Sequence, residues 1–84
     1  MYIRSRMKQY QLKIPDESYP HRVFGVRVSD TEALSELNAT FPEAMNGMYL
    51  AEDDWVIKDV SGPRILPILD HTFRRFYKEV APDA

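Results

Sequence analysis

The chain has 84 residues, 44% of them apolar, 12% aromatic and 29% charged, with a net charge of −2 and no cysteine. That length holds one domain (residues 1–84) whose folding buries only about 60% of the unfolded surface, and this composition excludes a disordered chain. Without cysteine there is no disulfide framework and no thiolate metal site, which points to the cytoplasm, and no apolar run approaches the ~18 residues of a membrane span. Arg4, Arg6 and Lys8 crowd the N-terminus, but no apolar stretch of the kind found in a secretion signal follows them.

Residues 1–7 show no period and read as a flexible arm. From Lys8 the chain alternates, with Tyr10, Leu12 and Ile14 on one face and Gln9, Gln11 and Lys13 on the other, the pattern of a half-buried strand. Pro15 and Pro20 bracket a polar loop, because proline offers no donor to a sheet ladder. Residues 22–28 form a second strand, with Phe24, Val26 and Val28 on one side and Val23, Gly25 and Arg27 on the other. The two strands are expected to pair as a hairpin.

Ser29-Asp30-Thr31-Glu32 has capping-box spacing, Ala33, Leu34, Leu37 and Phe41 make an apolar stripe, and Pro42 closes the helix. Asn46-Gly47 is a turn, since both residues tolerate positive φ. Residues 48–51 and 55–60 are then expected to pair as a second hairpin, with Glu52, Asp53 and Asp54 at its tip. Ser61-Gly62-Pro63-Arg64 leads into a final helix with the stripe Leu66, Leu69, Phe73, Phe76 and Val80. Pro67 sits too deep for a regular first turn, so this helix either begins near Leu66 or is kinked there. Residues 81–84 are a tail.

A shift of 32 positions lays Ser29, Leu34, Leu37, Thr40 and Phe41 on Ser61, Leu66, Leu69, Thr72 and Phe73. True duplication and convergent patterning of two amphipathic helices both account for such a match. The expected fold is α+β: a four-stranded, mainly antiparallel sheet with two helices on one face, in ββαββα order, built as two ββα units.

Charge is segregated along the chain: residues 1–28 carry +4, residues 29–63 carry −7 and residues 64–84 carry +1, which sums to −2. Glu52, Asp53 and Asp54 are adjacent and lack the alternating oxygen ligands of a calcium loop. Neither His21 nor His71 belongs to a zinc-ligand spacing, and no glycine-rich phosphate loop is present. No metal, cofactor or catalytic residue is assigned.

Two surfaces stand out. The sheet face away from the helices would carry Val23, Trp55 and Ile57, rimmed by Glu52, Asp53 and Asp54. An exposed apolar patch of this kind marks an interface, although tryptophan's average burial favours the alternative, in which Trp55 curls into the core. The second surface is the polar side of the last helix, where His71, Arg74, Arg75 and Lys78 share a spacing of three and four and could meet phosphates. The functional expectation is a non-enzymatic protein-binding module, an inhibitor or regulator of a larger assembly or a self-associating homodimer, with no membrane contact. The alternative is a nucleic-acid-associated protein that uses the basic helix face.

Overall fold

The computed structural model describes residues 8–80, so the expected arm (1–7) and tail (81–84) lie outside the described residues. Within them the chain forms β1 (Lys8–Leu12), β2 (Arg22–Arg27), α1 (Thr31–Thr40), α2 (Pro42–Met45), β3 (Trp55–Asp59), β4 (Ile65–Ile68), α3 (Asp70–Phe76) and β5 (Tyr77–Glu79). The strands make one five-stranded sheet in the order β4-β3-β2-β1-β5, and every neighbouring pair is antiparallel. The α+β class is as expected; the sheet gains a strand, and three helices replace two.

The first half of the chain follows its pattern. β1 and β2 pair with Tyr10 opposite Val23, and α1 ends before Pro42, which opens α2 at its first position. The cap falls one residue later than the capping box predicts: the Asp30 carboxylate, not the Ser29 hydroxyl, accepts from a backbone N–H, that of Ala33, at 3.2 Å. Ala33 and Leu37 are buried, and Leu34 and Phe41 pack beside them.

The second half departs from it. Residues 48–51 form no strand, and β3 pairs instead with β4. The Ser61–Arg64 turn, expected as a helix entry, closes this hairpin: Asp59 N–H donates to the Arg64 carbonyl at 2.9 Å, and the Asp59 carboxylate accepts from the Ser61 N–H at 3.1 Å. Lys58 Nζ reaches over the turn to the carbonyls of Asp59 and Gly62, at 2.6 Å each. Residues 61–73 are therefore turn, strand and the start of a helix, where 29–41 are essentially one helix, so the sequence match is not a structural repeat.

The helices lie on opposite faces of the sheet, which corrects the expected one-sided arrangement. Val26 of β2 and Val56 of β3 pack with Ala33, Leu37 and Met45 from α1 and α2. Val23, Trp55 and Ile57, their strand neighbours pointing the other way, pack with Phe73 of α3, Leu12, Ile68 and Tyr77. The central strands are thus covered on both sides, and Trp55, Val56 and Ile57 are consecutive buried residues. After α3 the chain returns to the sheet as β5, held on β1 by the Lys13 N–H to Phe76 carbonyl bond at 2.7 Å and the Val80 N–H to Gln9 carbonyl bond at 2.9 Å.

Candidate functional site

The expected sheet patch is not a surface. Val23 and Ile57 have no solvent exposure and Trp55 retains 9%, so this part of the proposed interface is core. Trp55 stacks on Phe73 with ring centroids 4.0 Å apart, and Tyr10 meets both rings edge-on. The indole N–H donates to Asp70 Oδ1 at 2.8 Å. The same oxygen accepts from Arg74 Nε at 3.2 Å and lies 3.7 Å from the Arg27 guanidinium. The indole hydrogen bond, and after it these cations, hold the Asp70 carboxyl below its ordinary value.

This arrangement also divides the expected basic face. His71, Arg74 and Arg75 stand exposed on α3, with Arg74 paired to Asp70. Lys78 belongs to β5, where it sits opposite Gln11 and alternates with the buried Tyr77, so it points to the far side of the sheet from α3. The four residues are not one surface.

The acidic residues end on the outside. Between Arg27 and Lys58 the chain has seven carboxylates (Asp30, Glu32, Glu36, Glu43, Glu52, Asp53, Asp54) and no lysine or arginine. Asp54 is built into its own turn: its Oδ2 accepts from the Ala51 N–H at 3.0 Å, and its N–H donates to the Ala51 carbonyl at 3.0 Å. Its carbonyl takes the Val28 N–H at 2.9 Å, which ties the turn to the end of β2. Glu52 and Asp53, at the corner of that turn, are exposed.

Immediately before it, Met48 and Leu50 pack against the core beneath α1 and α2, while Tyr49 between them is 98% exposed. Sequence reasoning overlooked Tyr49 because it assigned residues 48–51 to a paired strand. The available signal was the apolar-aromatic-apolar order Met48-Tyr49-Leu50 beside three acids. Among the described residues, no three His, Cys, Asp or Glu side chains converge as a metal site, and no helix is long and apolar enough to cross a membrane. No protein-family model, no curated protein and no solved structure matches this chain.

Proposed function

We propose that the chain is a non-enzymatic binding module of the cytoplasm that docks on a basic protein surface through Tyr49, Glu52 and Asp53. The observation that carries this reading is Tyr49, a large aromatic in water although both its neighbours are partly buried against the core. Packing of Met48 and Leu50 limits what docking would have to order to the tyrosine side chain, and tyrosine is enriched among the residues that dominate interface energies. The carboxylates around it would steer a cationic partner and set the orientation of docking. Of the contact residues expected from sequence, Glu52 and Asp53 remain in this reading, Asp54 holds the turn that presents them, and the sheet residues leave it. Regulation or inhibition of the partner would follow from occupying its surface.

The test is a photo-crosslinking amino acid placed at position 49 and, as a control, at position 11, whose glutamine is exposed on β1. The expected result is one discrete protein adduct from position 49 in the native cell extract, absent from position 11 and lost in a Glu52→Lys, Asp53→Lys double variant. With the captured partner purified, Tyr49→Ala should weaken binding by about 2 kcal/mol, the threshold of a hot spot. Adducts that form equally from both positions, or that survive the charge reversal, would end this reading.

A further inference from the structure

On the α3 side of the sheet, where β1, β2 and β3 meet the start of α1, an open cleft of about 270 Å³ is lined by Lys8, Tyr10, Gly25, Arg27, Ser29, Asp30 and Trp55 among others. Its lining shares no residue with Tyr49, Glu52 and Asp53, and the inference is independent of the reading above. The guanidinium of Arg27 rests on the Trp55 ring, 5.5 Å from its centroid. Its Nε is enclosed and makes no hydrogen bond with a described residue, and Asp70 approaches its terminal nitrogen only to 3.7 Å, beyond hydrogen-bond reach. That carboxylate is already held by Trp55 and Arg74. Lys8 is in the same position: Glu79 comes no nearer than 3.8 Å, and both side chains are largely in solvent. A buried polar atom without a partner calls for an explanation, of which a missing ligand is one.

From these donors we infer that the cleft binds a small carboxylate, taken by the Arg27 fork with Lys8 as the second cation. A guanidinium presents parallel N–H groups in a fork that suits a two-oxygen acceptor. Size and charge narrow the ligand. The cleft falls just short of the about 300–1,000 Å³ of sites for drug-sized molecules. Among the described residues its lining holds Lys8 and Arg27 with the carboxylate of Asp30, and Asp70 and Glu79 stand just beyond it, 3.7 Å from Arg27 and 3.8 Å from Lys8. With three carboxylates around the two cations, a singly charged anion is repelled less than a phosphate dianion.

The single tryptophan is in the cleft wall, so the intact chain reports on its own occupancy. The experiment titrates sodium acetate, sodium chloride and inorganic phosphate at matched ionic strength and follows the Trp55 fluorescence. Acetate should give a saturable change that chloride does not, with phosphate weaker than acetate. Lys8→Gln, whose side chain is 68% exposed and bears no fold, should weaken acetate about tenfold, and Arg27→Gln at least as much. Acetate and chloride giving the same trace, phosphate binding more tightly than acetate, or full acetate affinity in Lys8→Gln would each overturn the assignment.

Discussion

Tyr77 shows how much one polar atom can decide in a small core. The side chain is 3% exposed, and its hydroxyl donates to the Pro20 carbonyl at 2.7 Å, joining β5 to the loop between β1 and β2. Pro20 is itself buried, so removing the hydroxyl leaves its carbonyl without this donor. Tyr77→Phe should therefore cost about 1–3 kcal/mol in denaturant unfolding at neutral pH, the penalty of an unsatisfied buried group. Burial is the main reason the phenol is pushed up from 10.0 to about 12. The folded state thus keeps its proton after the unfolded state has lost its own, and stability falls as pH rises from 10.0 towards 12. The wild type should lose stability across that window, and Tyr77→Phe should lose less of it.

At the scale of elements, α3 is the piece whose existence depends most on packing. It has seven residues, well short of the about 12–15 at which an isolated helix becomes even marginal. Phe73 fixes it to the sheet: it is 3% exposed and lies in ring contact with Tyr10, Trp55 and Tyr77. Phe73→Ala should cost about 3–5 kcal/mol, a large share of the about 5–15 kcal/mol that holds a domain folded. Leu69, in the same sequence stripe, is 54% exposed, and Leu69→Ala should stay within about 0.5 kcal/mol of wild type. Thermal melts of the two variants separate the reading of one long helix, in which both leucine and phenylalanine are core, from the short helix seen here.

That stripe also marks where the sequence stopped being legible. Leu66, Leu69 and Phe73 recur at helical spacing, yet Leu66 is in β4, Leu69 is the link and only Phe73 is helical. A stretch of so few apolar residues fits a strand or a helix, and the choice is made by what it packs on. Pro67 was the discordant residue, and it argued against the helix. α1 was readable because a cap, an apolar stripe and Pro42 bracket one ten-residue helix. The relative faces of β1 and β2 were not, since the nine residues between the two strands leave their register open, and a slip of one residue exchanges the faces. With Tyr10 set opposite Val23, the apolar face of β1 lies on Val23's side of the sheet, and α3 covers that side, so Val23 is core although it still points away from α1. The apolar run Trp55-Val56-Ile57, polar on neither side, already implied cover on both faces, and with it the burial of the tryptophan offered as an interface.

For the molecule as a whole, an open five-stranded sheet leaves two edges, β4 and β5, that could pair with another copy. β5 is three residues long, and Lys78 and Glu79 on it are exposed and charged. β4 is protected differently. Asp59 N–H bonds the Arg64 carbonyl, and in an antiparallel ladder bonded and non-bonded pairs alternate, so Ile57 with Leu66 and Trp55 with Ile68 are bonded pairs. Val56 with Pro67 falls between them, which turns the Pro67 nitrogen outward to the open edge. The proline thus costs the sheet no internal hydrogen bond and denies an incoming strand a donor at the centre of the edge. Pro67→Val places an N–H there and adds a β-branched residue, so the variant should fold with the same sheet but associate as concentration rises. Light scattering over a dilution series, compared with wild type, checks this. Equal behaviour of the two proteins would mean that the β4 edge is closed by something other than its proline, whereas new association that persists at high salt would identify edge pairing, since contacts between the acidic and basic surfaces weaken as salt screens them.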